Sequence, residues 1–272
     1  MGPTPGVWDI RSGTVELVAD DLNHGAWTVL VNGVPSSHID PSRPDYVDFE
    51  YMRWMAAALR MYVPAFLDPH TLRVLHLGGG ACSMARWAIH EWPTSRHVVV
   101  ELDDRLVDLV RQWFDLPRAP TLRIRAGEAR GVTESLTEST RDVIIRDVFA
   151  GSVTPAALRT VEFSRAVDRV LAPSGVYLLN VGDDPQLNGV RTEIATVRQV
   201  FEHVAAIADP AMFKGRRRGN VVLVASHQPL PSTGSAEAAE MIRSLMVDPV
   251  PAQYKDSAWT ATFAATIPPN RD

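Results

Sequence analysis

Residues 74–80 limit the folds open to this chain more than any other stretch, because a short apolar run there ends in three glycines. Those glycines are Gly78, Gly79 and Gly80. A helical pattern follows over residues 81–92, and about twenty residues after the glycines a second apolar run ends in an acidic pair, Glu101 and Asp103. Glycines allow close backbone approach, helix N-termini offer free N–H groups, and the carboxylate can accept from ribose hydroxyls. The pattern predicts the nucleotide-binding crevice of a doubly wound α/β fold.

The beginning of the chain has another pattern. After a lead-in over residues 1–12, apolar runs at 15–18, 27–31 and 34–39 predict strands, and Asn32-Gly33 between the last two predicts a two-residue hairpin turn. We therefore expect a small antiparallel N-terminal β unit over residues 1–44, followed by a Rossmann-like nucleoside-binding domain over residues 45–272.

Helical and strand patterns alternate after residue 44. Asp45 is positioned to cap a helix that Pro64 ends, and Thr154 with Pro155 is positioned to start another over residues 155–171. This alternation predicts a mostly parallel sheet in which one of the last two strands is antiparallel. The expected strands are 72–77, 97–102, 122–125, 143–145, 176–180, 204–208 and 220–226, and further helices are expected at 82–92, 104–114, 186–201 and 236–247.

The acids that follow the strands distinguish between nucleosides. A dinucleotide fingerprint needs a third small residue three positions after Gly80, where this chain has Ser83. An acid after the third strand can instead accept from an adenine amino group, and Asp147 after the fourth strand faces the transferred group in class I methyltransferase-like folds. The third strand is followed by Gly127, Glu128 and Ala129. Together with Glu101, this order predicts an S-adenosyl nucleoside site.

The same motifs give the chain a resemblance to a family. The glycine turn, Glu101-Leu102-Asp103, and the segments 127–130, 142–147 and 171–176 resemble a spermidine synthase (polyamine aminopropyltransferase) over residues 13–226. The resemblance implies a class I methyltransferase-type catalytic domain, a small N-terminal β-domain and a homodimer. It also implies transfer of an aminopropyl group from decarboxylated S-adenosylmethionine to putrescine, with release of methylthioadenosine and without a metal.

The acceptor half of the site departs from that family. Ala81 stands where the family has the acid that holds the aminopropyl ammonium, and Ala150 stands where it has the acid that deprotonates the attacking amine. A buried diamine needs paired carboxylates, so we do not expect efficient spermidine synthesis. The remaining candidates are Asp147 as the catalytic carboxylate and Glu50 and Asp45 as acceptor-binding residues.

Three functions stay open. The chain transfers an alkyl group from decarboxylated S-adenosylmethionine to an amine or another small acceptor, or it is a methyltransferase that uses S-adenosylmethionine itself. Alternatively, it is a non-catalytic nucleoside-binding or dimeric scaffold protein.

Composition bears on the partners and the compartment. The net charge of −5 argues against nucleic acid as a partner, and no apolar run is long enough for a membrane span. The histidines have no metal-ligand spacing, so we expect no metal. One cysteine, Cys82, excludes an internal disulfide, and together with the lack of a signal-peptide pattern this predicts a cytoplasmic protein.

Overall fold

The protein folds around two β-sheets, one small and antiparallel and one large and mostly parallel, in a computed structural model that describes residues 3–151 and 153–272. The small sheet is formed by β1 (Gly6–Ile10), β2 (Gly13–Ala19), β3 (Trp27–Val31) and β4 (Val34–Ile39). Its strands pair in chain order. Between β3 and β4, Asn32 and Gly33 both have positive φ, as the Asn-Gly pattern predicts.

The large sheet has eight strands in the order β12-β10-β11-β9-β8-β5-β6-β7. They are β5 (Arg73–Leu77), β6 (Arg96–Glu101), β7 (Leu122–Ala126), β8 (Arg141–Arg146), β9 (Leu171–Asp183), β10 (His203–Ala208), β11 (Gly219–Ser226) and β12 (Gln253–Lys255). Strands β5 to β9 are mutually parallel, whereas β11 runs antiparallel to both of its neighbours. The predicted fold class, α/β with a mostly parallel sheet and a small antiparallel N-terminal unit, is confirmed.

Helices cover the large sheet and close its core. They are α1 (Glu50–Phe66), α2 (Ser83–Glu91), α3 (Asp104–Trp113), α4 (Ala129–Glu134), α5 (Val161–Val170), α6 (Asn188–Val197), α7 (Pro210–Phe213), α8 (Ala236–Met246) and α9 (Ser257–Phe263). Helix α1 buries Met55, Leu59 and Tyr62, which recur at three- and four-residue spacing, in one hydrophobic core with the sheet. Among the described residues, no helix has the length and apolar character that crossing a membrane requires.

The small sheet completes its core against the large unit. Val15, Leu17 and Val29 are fully buried and share one hydrophobic cluster with the inner faces of α2 and α3. A polar contact reinforces this packing, since the Ser12 hydroxyl and backbone N–H both donate to Asp103. The N-terminal sheet is therefore fixed to the helices that flank the glycine turn, while a domain boundary at residue 44 stays a prediction.

Several predicted element boundaries are wrong. The lead-in contains β1, and α1 begins at Glu50 with Phe49 at its N-cap, so Asp45 does not cap it. Pro64 lies in the last turn of α1, where the helix continues to Phe66. The predicted helix over 155–171 is a 3₁₀ turn (Ala156–Leu158) followed by α5, whose cap is Thr160 rather than Thr154. After residue 247, where no further element was expected, the chain forms β12 and α9, which pack on β10 and carry no strong local pattern.

Candidate functional site

The glycine turn follows β5 at the carboxyl edge of the large sheet, and two of its residues have backbone conformations that favour glycine. Gly78 has φ +85°, and a Cβ there would collide with the Asp147 carbonyl oxygen. Gly80 has φ +47°, and a Cβ there would lie 2.6 Å from the Ser37 hydroxyl oxygen on β4. The turn is thus held between the end of β8 and the N-terminal sheet, and its other side faces the crevice.

Glu101 ends β6 and turns its carboxylate toward the glycine turn. Its Oε2 accepts the N–H groups of Gly79 and Gly80, each at 3.1 Å, and its Oε1 accepts the N–H of Asp103 at 3.2 Å. The side chain is half-buried, and each carboxylate oxygen keeps a further lone pair. Beside it, Leu102 is 68% exposed. The pair offers hydrogen-bond acceptors for a ribose and an apolar surface for a base.

Asp103 has a different environment from Glu101. It is buried, and its Oδ1 accepts from the Leu106 N–H at the start of α3. Its Oδ2 accepts from the backbone and hydroxyl of Ser12, and these contacts lower the pKa of the carboxyl against the opposing effect of burial. With protein donors on both oxygens, Asp103 caps α3 and anchors the small sheet, and its nucleoside contact stays a prediction.

The segment after β7 approaches Glu101 through its backbone. The Gly127 N–H donates to the Glu101 carbonyl at 2.9 Å, and Ala129 is buried at the start of α4. Glu128 is exposed and caps α4, with its carboxylate accepting from the N–H groups of Arg130 and Gly131 at 2.9 and 2.8 Å. The backbone of this segment is thus fixed beside Glu101.

Asp147 follows β8 and is held by two side chains. Its Oδ2 accepts from the Tyr51 hydroxyl at 2.8 Å, and its Oδ1 accepts from the Asn180 amide nitrogen at 3.0 Å. Burial raises the pKa of Asp147, and the hydrogen bonds from Asn180 and Tyr51 oppose that rise. The Asn180 amide oxygen is buried without a hydrogen-bond partner among the described residues. This end of the crevice therefore presents a fixed carboxylate and an unused acceptor.

The two predicted acceptor-binding residues lie apart. Glu50, in the first turn of α1 beside Tyr51, accepts from the Asn220 amide nitrogen at the start of β11 at 3.3 Å. Asp45 is exposed and lines a separate cavity of about 870 Å³ between α1 and α8, to which Arg53 of α1 also contributes. The structure therefore groups Glu50 with the Asp147 side of the crevice and leaves Asp45 outside it.

The two alanines that replace family acids occupy different surroundings. Ala81 is fully buried, and its N–H donates to the Ser37 hydroxyl at 2.9 Å. Next to it, burial raises the pKa of the Cys82 thiol to about 12, so this residue is a packing residue rather than a nucleophile. Ala150 is exposed, and its backbone pairs with that of Val153. Neither alanine position offers a carboxylate to the crevice.

Arg146 points to the opposite face of β8 from Asp147. Both Arg146 and Glu193 on α6 are 1% exposed, and their side chains form a two-armed ion pair at 2.9 and 3.1 Å. The Arg146 guanidinium also donates to the Leu158 carbonyl at 2.5 Å. The hydrogen bonds of this guanidinium therefore go to α6 and to the segment that follows β8.

Sequence reasoning missed three residues on this side of the crevice: Tyr51 and Asn180, which donate to Asp147, and Asn220, which donates to Glu50. A cap at Asp45 placed the first turn of α1 too early, which concealed Tyr51 as a neighbour of the site. Asn180 lies on β9 and Asn220 on the neighbouring antiparallel strand β11. The register of these strands, with Asn220 opposite Gly182, brings Asn220 near α1. A polar residue near the end of an otherwise apolar strand is the signal that was available for both. Among the described residues, no three His, Cys, Asp or Glu side chains are grouped as metal ligands.

Curated relatives include two types of transferase. A polyamine aminopropyltransferase of Aeropyrum pernix is 29% identical over 163 residues, which is 53% of this chain and 50% of that protein. An eEF1A lysine and N-terminal methyltransferase of Mus musculus is 29% identical over 159 residues, which is 54% of this chain and 22% of that protein. The chain thus spans half or less of the length of these relatives.

A solved structure is similar over nearly the whole chain. The crystal structure of a probable spermidine synthase from Corynebacterium glutamicum ATCC 13032 is 48% identical, with a TM-score of 0.97, and the match covers 99% of this chain and 97% of that chain. The family model described as the spermine/spermidine synthase domain matches residues 58–218, which include the glycine turn, Glu101 and Asp147. The chain therefore belongs to the spermine/spermidine synthase domain family.

Proposed function

We propose that the crevice binds an S-adenosyl nucleoside and that the protein transfers an alkyl group from its sulfonium to an amine. The observation that carries the proposal is the pair of carboxylates at the carboxyl edge of the sheet, Glu101 at the end of β6 and Asp147 directly after β8, on the two sides of β5 and its glycine turn. Glu101 would accept from the ribose hydroxyls. Gly127 and Glu128 would flank the adenine, and Asp147 would face the reacting carbon.

The chain's own groups then have defined tasks. The amine nitrogen attacks the carbon bonded to the sulfonium, and the N–C bond forms as the C–S bond breaks. The electron pair of the C–S bond stays on sulfur, which leaves as a neutral thioether. The amine loses one proton, and Asp147 is placed to take it because its raised pKa makes it a stronger base than an exposed aspartate. Tyr51 and Asn180 would hold the orientation of that carboxylate.

The co-substrate is proposed to be decarboxylated S-adenosylmethionine or S-adenosylmethionine. Methyl transfer from the intact nucleoside is the second candidate, and the buried Ala81 favours it, since no carboxylate there repels the amino-acid carboxylate. The methyltransferase relative is consistent with this alternative. On family membership we also propose a cytoplasmic homodimer, which light scattering would detect as twice the 29.9 kDa mass of the chain.

Thermal shift with methylthioadenosine, S-adenosylmethionine and its decarboxylated form tests the binding step, and mass spectrometry of the products with putrescine tests transfer. We expect a ligand-linked rise in Tm with at least one nucleoside. Asp147→Asn should lower any transfer rate by about 10²- to 10⁴-fold and leave the nucleoside Kd unchanged. Exposed Glu134→Gln is the matched control. Binding without transfer to any acceptor would leave the non-catalytic alternative, and no shift with any nucleoside would refute the proposal.

A further inference from the structure

A basic turn, residues 214–218, lies at the mouth of the crevice. It joins α7 to β11, and because β11 is antiparallel to β9 with Gly219 opposite Asp183, the turn reaches the carboxyl edge of the parallel strands. Gly215 has φ +63°, and a Cβ there would lie 2.6 Å from the Pro185 carbonyl oxygen. The turn therefore packs closely on the loop that follows β9.

The arginines of this turn have different surroundings. Arg217 forms an ion pair with Asp209 at 3.0 Å, on the α7 side. Arg218 directly precedes β11 and lies two residues before Asn220, whose amide nitrogen donates to Glu50 at 3.3 Å. Arg216 and Arg218 are exposed, and no acidic side chain of the described residues lies within ion-pair distance of either. Two guanidinium groups at this mouth are unpaired.

The carboxylates of the same half of the crevice all have protein donors. Asp147 accepts from Tyr51 and Asn180, and Glu50 accepts from Asn220. Beyond them, the Asp183 carboxylate accepts the N–H groups of Val190 and Asp184, and Asp184 accepts the N–H of Gln186. If Asp147 receives the attacking nitrogen, a second ammonium at the far end of a diamine would meet one shared carboxylate, Glu50, and two free guanidinium groups.

We propose that the natural acceptor is an amine with an anionic group, a carboxylate or a phosphate, at its far end, and that Arg216 and Arg218 bind that group. The planar guanidinium fork matches both kinds of anion. This inference rests on the proposed function, because it assumes that Asp147 receives the amine. It separates this chain's acceptor from putrescine, whose far end is a cation.

Calorimetric titration of the full chain saturated with methylthioadenosine tests the inference with three acceptors of similar length. Putrescine is compared with 4-aminobutyrate and with 3-aminopropyl phosphate, and the tighter of the two anionic amines identifies the anion. We expect this anionic amine to bind at least about tenfold more tightly than putrescine. In the R216Q/R218Q variant its Kd should rise about tenfold. The matched control is Arg123→Gln, an exposed arginine on β7 at the other edge of the sheet, which should change nothing.

Three outcomes of these titrations would overturn the inference. Tighter binding of putrescine, together with its loss in Glu50→Gln, would overturn the inference in favour of a diamine held by Glu50. Anion binding that R216Q/R218Q leaves unchanged, or no binding of either anionic amine, would also overturn it. These outcomes leave nucleoside binding intact, whereas failure of methylthioadenosine itself to bind would overturn the proposed function as well.

Discussion

Replacement of Glu101 by alanine tests the nucleoside crevice most directly. In the proposed function this carboxylate accepts from both ribose hydroxyls, and a hydrogen bond to a charged group contributes about 1.5–3 kcal/mol. Loss of two such bonds is about 3–6 kcal/mol, which corresponds to roughly 10²- to 10⁴-fold in Kd. The same carboxylate accepts three backbone N–H groups in the structure, so the variant also loses contacts that shape the glycine turn.

Isothermal titration with methylthioadenosine measures this loss without turnover. A thermal melt of the unliganded variant shows how much of the change comes from the fold, and we expect a decrease of a few degrees because the three backbone donors turn to water. Asp108→Asn is the control, since it removes an exposed carboxylate from the neighbouring helix α3. A folded Glu101→Ala protein whose Kd lies within about threefold of the parent would show that the ribose does not lie at this strand end.

Three further predictions concern the scaffold. Burial lowers the pKa of His97 to about 4, so below pH 6.5 the unfolded chain binds more protons than the folded protein. Urea unfolding should therefore show a free energy of unfolding about 3 kcal/mol lower at pH 4 than at pH 7. A free energy that does not change with pH would contradict this. Glu193→Gln leaves Arg146 buried and unpaired and should cost about 3 kcal/mol in denaturant unfolding, much of which Arg146→Met with Glu193→Leu should restore. Gly78→Ala should lower Tm and weaken nucleoside binding, whereas Gly131→Ala, whose Cβ would make only an ordinary contact with Glu128 Oε2 at 3.6 Å, should do neither.

Local pattern and chemistry were enough to predict the frame of the molecule. The glycine turn could be predicted because it directly follows an apolar run and needs backbone conformations that favour glycine. Glu101 could be predicted because it lies at the end of the next apolar run. Both signals come from residues close in sequence. The same reasoning separated the antiparallel N-terminal strands from the alternating segment that follows.

The surroundings of Asp147 could not be predicted in this way. Tyr51 reaches it across 96 positions of sequence, and the antiparallel insertion of β11 brings Asn220 to Glu50. Asp103 is a further example, because the sequence could not indicate that Ser12, far away in the chain, would donate to its carboxylate. Such contacts depend on strand order and on packing between sheets, which local periodicity does not encode.

The shared core of the small sheet also has a consequence during synthesis on the ribosome. Strands β1 to β4 are translated first, yet the apolar side chains of Val15 and Leu17 are covered by α2 and α3 and by residues as late as Leu122. At ~5–20 residues per second, that apolar face stays uncovered for several seconds after Ile39 has been added. The N-terminal hairpins therefore emerge with an uncovered apolar face, and helices α2 and α3, beside the glycine turn, are the elements that later cover it.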